Sequence, residues 1–153
     1  MRFLSLVLTL VLPAAVMVAD DRTIIFDEHL DFSTLKTFSI RDGRIGTSEP
    51  ALNNALVREK ILDAIRSQLT ARGLAESPAS DVIATFELEF NPGLRRALND
   101  DTQAILVVDL MTRDSRLIWR GTYRDTELHV SKTASQLPDD VKKLLSKYPP
   151  KQR

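Results

Sequence analysis

The stretch Asp81–Phe90, DVIATFELEF, constrains the fold more than any other part of the chain. Val82, Ala84, Phe86, Leu88 and Phe90 fall on one side, and Thr85, Glu87 and Glu89 on the other, with Ile83 the exception. A period of two belongs to a strand buried on one face only, so a second layer must cover that face. After a loop, Asn91–Asp101 (NPGLRRALNDD), Thr102–Thr112 (TQAILVVDLMT) is β-branched and almost continuously apolar, which predicts a central strand. Arg113–Arg116 supplies a tight turn, and Leu117–Tyr123 (LIWRGTY) returns as its hairpin partner, continuing toward Val130. Thr23–Asp27 and Leu35–Ile40 are two earlier β-rich runs, and Arg41–Pro50, with its Gly and Pro, reads as a connection.

Two amphipathic helices supply the covering layer. Pro50 suits a first helical turn, where its missing N–H is no loss, and Ser48 is the expected cap. Val57, Ile61, Leu62, Ile65 and Leu69 recur at helical spacing, and Gly73 is placed to end the helix in a left-handed conformation. A second helix is expected over Leu137–Tyr148. Pro138-Asp139-Asp140 mark its start, Lys142, Lys143 and Lys147 its end, and Pro149-Pro150 its stop. The order is strand, strand, helix, three strands, helix, with short links between the last three strands. It predicts an α+β two-layer sandwich of about five mainly antiparallel strands, with both helices packed on one face.

The front of the chain is different in kind. Met1-Arg2 is followed by an uncharged run from Phe3 to Ala19 and then by Asp20-Asp21-Arg22, the pattern of a secretory signal peptide. As a helix the run would extend about 26 Å, short of a bilayer core, and Pro13 interrupts it. Cleavage between Ala19 and Asp20 is expected, although Met17 is larger than the usual residue two positions before the cut. The expectation is a signal peptide over 1–19 and one α+β domain over 20–153, free in the periplasm. An inner-membrane anchor made of uncleaved residues 3–19 is the alternative. The chain has no cysteine, which excludes disulfides and a bacterial lipoprotein anchor. Its 21 acidic and 21 basic side chains predict no attraction to nucleic acid.

Several ordered segments resemble a known family. They are Asp31-Phe32-Ser33 with Leu35-Lys36-Thr37-Phe38, then Ile61, Ile65, Leu69 and Arg72-Gly73-Leu74. Asp81-Val82-Ile83, Asp109-Leu110-Met111-Thr112 and Leu117-Ile118-Trp119-Arg120-Gly121 follow, and Leu144-Leu145 with Tyr148-Pro149-Pro150 closes the set. Together they resemble the bacterial envelope group called domain of unknown function 4136, over most of residues 23–150. The resemblance implies an exported α+β protein and carries over no catalytic residue. Many members are lipid-anchored, and this chain departs from them in lacking the acceptor Cys.

No catalytic residue and no cofactor is expected. Neither His29 nor His129 has a second His, Cys or carboxylate at a spacing that builds a metal site locally, so no metal is expected. Nucleophile-elbow, zinc-protease and phosphate-loop patterns are absent from the sequence. Trp119 is expected on the core face with Gly121 relieving crowding, and the competing reading makes Trp119 and Arg120 a ligand platform. Leu94, Arg95, Arg96 and Leu98 in the loop after the alternating strand are the first candidates for contacting a partner, since exposed Leu beside Arg suits an interface. The function expected is a non-enzymatic periplasmic module that binds another envelope component, most naturally a protein. One alternative is a carrier holding a small apolar molecule or lipid between sheet and helices. The other is a hydrolase, which requires His29 or His129 to meet Ser and Asp in space.

Overall fold

The computed structural model describes residues 21–91, 103–125 and 130–150. The expected signal peptide with its expected cut between Ala19 and Asp20, the loop residues Leu94, Arg95, Arg96 and Leu98, and His129 lie outside the described residues.

The alternating segment forms β5 (Val82–Asn91), and Val82, Ala84, Phe86, Leu88 and Phe90 are all buried. β6 (Gln103–Met111) runs antiparallel beside it, so that Ala84 faces Leu110, Phe86 faces Val108 and Leu88 faces Leu106. β7 (Leu117–Asp125) pairs next, carrying Trp119, Gly121 and Tyr123 onto the same face. Its register slips between Leu110 and Met111, which leaves Ile118 without an opposite residue. That irregularity lets adjacent Ile118 and Trp119 both enter the core, where neither has exposed surface. β1 (Asp21–Phe26) pairs antiparallel with β7 and is one edge of the sheet.

The other half of the sheet departs from expectation. β2 (Thr37–Ile40) lies parallel to β5, and β3 (Arg44–Gly46) and β4 (Ala75–Glu76) add two further parallel pairings. Among the described residues the sheet is therefore mixed and seven-stranded, in the order β1-β7-β6-β5-β2-β4 with β3 on β5, where about five mainly antiparallel strands were expected. β3 arises because the chain after β2 keeps following β5: Arg41 N–H donates to the Ala84 carbonyl at 2.8 Å, and pairing resumes at Arg44. Gly43 permits this close passage, since a Cβ there would overlap the Phe86 ring and carbonyl. Ile45 is buried, and Arg44 pairs with Glu87 and Glu89 on the neighbouring strand.

The first helix, α1 (Ala55–Ala71), begins later than the sequence suggested. Asn54 caps it, its side chain accepting from Val57 N–H at 3.0 Å, while Pro50 belongs to a preceding turn. Ser48 therefore is not the cap. At the other end Gly73 adopts φ +87, its N–H donating to Thr70 and that of Leu74 to Leu69, the Schellman arrangement. The second helix, α2 (Val130–Leu145), starts before Leu137 and holds Pro138 inside it, so Pro138 does not mark its N-terminus. Both stripes enter one cluster: Val57, Ile61, Ile65 and Leu69 from α1, and Leu137, Val141, Leu144 and Leu145 from α2. Each such Leu or Ile contributes about 1.5–3 kcal/mol by burial. The helices thus share the sheet face that carries the alternating side chains, as expected.

An aromatic chain closes the layer at one end. Tyr148 packs edge-on to Trp119 and to Phe32, with ring centroids 6.0 and 5.8 Å apart, and Phe32 meets Phe26 at 6.3 Å. Burial pushes the Tyr148 phenol up to about 12. Asp31 holds Phe32 in place by accepting from the Ser33 N–H at 2.9 Å and hydroxyl at 2.6 Å across a short 3-10 turn, Phe32–Thr34. No helix among the described residues is long and apolar enough to cross a membrane.

Candidate binding site

The residues expected to form a platform are separated by the pleat. Trp119 has no exposed surface, and its Nε1–H has no acceptor among the described residues. A Cβ on Gly121 would sit 2.5 Å from Trp119 Cη2, so this glycine makes room for the indole. Arg120, the next residue along the strand, points to the opposite face. There it holds the directly opposed Asp109 through two bonds, Nε to Oδ1 at 2.7 Å and Nη2 to Oδ2 at 2.6 Å. The Asp109 hydrogen bond raises the Arg120 pKa further above its ordinary value. A bidentate pair of this kind clamps β6 to β7. His29 lies in an exposed turn with its backbone N–H on Asp27 Oδ1 at 3.0 Å. No group of His, Asp or Glu able to hold a metal occurs among the described residues.

The built feature lies elsewhere, between β1 and the C-terminal half of α2. Two depressions adjoin there, of about 470 and 620 Å³, with Arg22 and Ser146 common to both. Arg22 and Tyr123 form the sheet side of the first, and Asp139, Asp140, Lys142 and Lys143 its helical side. Ile24 and Phe26 form the sheet side of the second, with Lys147, Pro149 and Pro150 opposite. The register places these side chains together: Arg22, Ile24 and Phe26 oppose Tyr123, Gly121 and Trp119, and so share the helix-facing side of the sheet. One wall is therefore an apolar strip ending in a cation. The other is the last turn of a helix and the two prolines after it.

Charge is arranged unevenly in this groove. Asp140 is buried, and Lys143 Nζ reaches its Oδ1 at 3.4 Å while lying 5.3 Å above the Tyr123 ring centre. Burial works to lower the Lys143 pKa, but Tyr123 and Asp140 outweigh it, and the net direction is upward. Lys143 is therefore a fixed cation that neutralises Asp140. Lys142 and Lys147 are exposed and have no ion-pair partner among the described residues. Counting Arg22, four basic side chains face two acidic ones across the two depressions. The arrangement suits an anionic group beside an apolar one. Among the described residues it sets no nucleophile against a base.

Sequence reading missed this groove. The lysines at 142, 143 and 147 were assigned to the helix dipole alone, and Arg22 was read only as the flank of the leader. The one available signal was that three lysines crowd the last turn of a helix beside a Tyr-Pro-Pro exit.

Comparison with known proteins agrees with the architecture. A crystal structure of a PDZ domain protein from Parabacteroides distasonis is similar, with TM-score 0.63 and 13% identity over 88% of this chain. That match takes in 36% of the other chain, so this protein spans about a third of its length. Two PelC dodecamer structures from Paraburkholderia phytofirmans match with TM-scores 0.49 and 0.48, 12% identity, 81% of this chain and 96% of theirs. No curated protein matches. The family model described as Domain of unknown function (DUF4136) matches residues 24–150, and the chain belongs to that family.

Proposed function

We propose that this protein is a non-enzymatic binding module of the bacterial envelope, exported by its leader, and that the groove between β1 and α2 receives its partner. The observation that carries this reading is an apolar wall, Ile24 and Phe26, set against Lys147 in one depression, with Lys142 in the depression that adjoins it at Arg22 and Ser146, neither lysine having an ion-pair partner among the described residues. Interfaces combine an apolar centre with a polar rim, and a rim of one sign selects the partner and speeds its encounter. The leader from Phe3 to Ala19 supports the envelope address. The space between sheet and helices is filled by Trp119, Tyr148, Ile65, Leu144 and Leu145. Among the described residues nothing there favours the carrier reading, which needs an interior cavity.

A photo-crosslinking amino acid placed at Ser146 tests the site in intact cells, with one at Lys60 on exposed α1 surface as control. A discrete adduct to one envelope protein from position 146, and none from 60, is the expected result. Equal labelling from both positions contradicts it. The address is tested separately by the intact mass of periplasmic protein, which should begin at Asp20.

A further inference from the structure

We infer that the partner enters this groove as an extended segment that adds a strand to the free side of β1, with an acidic side chain toward Lys142 and an apolar one over Ile24 and Phe26. The inference rests on the groove being the binding site and says what kind of chain it takes. β1 is the edge of the sheet, and among the described residues no strand pairs with its outer side. Its hydrogen-bonding parity follows from one contact: Asp27 N–H donates to the Ile118 carbonyl at 3.0 Å, continuing the β1–β7 register. Antiparallel bonds alternate, so Ile25 and Thr23 bond to β7, whereas the N–H and C=O of Ile24 and Phe26 point away from it. Those outward groups are a template for another backbone.

Three further observations agree. Neither proline nor lysine occurs in β1, so this edge carries neither of two common protections. Ile25, on the face away from the helices, is 58% exposed, and an added strand would cover it. The spacing also fits. Arg22 and Phe26 are about 13 Å apart along a strand, and helix-facing side chains of an added strand recur about every 6.6 Å. A segment with apolar residues at two such positions and an acid at the next would fill the proline-walled depression and reach the lysines of the other. The unbalanced lysines make an acidic segment the favoured occupant over a basic one.

The test uses a short capped peptide in which Phe, Val and Glu alternate with Thr, prepared in both directions, and titrates it against the mature chain by NMR. Saturable shifts at Ile24, Phe26, Lys142 and Lys147 are expected. Methylating the peptide amides that face β1 should weaken binding about tenfold or more, through lost hydrogen bonds. Ile24→Pro in the protein should do the same, since the N–H it removes faces away from β7. The methylated peptide does not depend on how that variant folds. A peptide that binds equally well when methylated overturns strand addition. So does the failure of both peptides to bind while Ser146 still gives its adduct in cells, and in that case the groove itself stands as the site.

Discussion

Single residues decide how the two faces of the sheet are used. Gly121 is the clearest case, because its missing Cβ is the space that Trp119 occupies. Gly121→Ala should destabilise the domain by about 1–3 kcal/mol in urea unfolding, as overpacking does, and an unchanged midpoint would contradict that account. Asp81 ties the start of β2 to the start of β5. Its carboxylate accepts from Lys36 N–H at 2.9 Å, from the Thr37 hydroxyl at 2.9 Å and from Thr37 N–H at 3.0 Å. These bonds hold its pKa below the ordinary 3.8, led by the Lys36 amide. A depressed native pKa contributes stability that is complete above the unfolded value and disappears as pH falls through the native one. Asp81→Asn should therefore be less stable than the parent at neutral pH, with the deficit closing as pH falls below the ordinary carboxylate range and the native carboxylate is protonated. A deficit independent of pH would mean that the ionised form has no special role. The sequence showed that Trp119 and Gly121 belong together, since both lie at alternate positions of one strand. The opposed pair Asp109 and Arg120 was not visible, because it depends on the register between two strands.

At the scale of elements, periodicity was readable where it had length to act. The five alternating apolar positions of β5, Val82 to Phe90, and the stripe of α1 both stand in the structure as the spacing required. β3 and β4, with three and two residues, are too short to show any period, so the parallel half of the sheet was missed. Helix starts were misread for a related reason: proline is common near a helix start but does not define one. Pro50 lies before the cap and Pro138 within the helix. The capping assignment is open to a direct comparison. Asn54→Ala should cost about 1 kcal/mol, whereas Ser48→Ala should leave stability unchanged within about 0.5 kcal/mol. The reverse ranking in thermal or urea unfolding would move the start of α1 back toward Pro50.

The described residues form a sheet whose one face is filled by two helices and whose β1 edge meets the end of α2 in a charged cleft. No local pattern announced that cleft, since Arg22 meets Tyr123 through the β1–β7 pairing, and Lys142 to Lys147 reach them through the packing of α2 on the sheet. The α+β class followed from element order, but the site needed the fold. The most direct measurement combines charge and contact. Lys142→Glu with Lys147→Glu changes two exposed side chains, and the crosslink from position 146 is read in the same cells. The account predicts that the protein stays folded, losing no more than about 2 kcal/mol through the helix dipole, while the adduct disappears. An adduct of undiminished yield on the charge-reversed protein would contradict the groove as the binding surface.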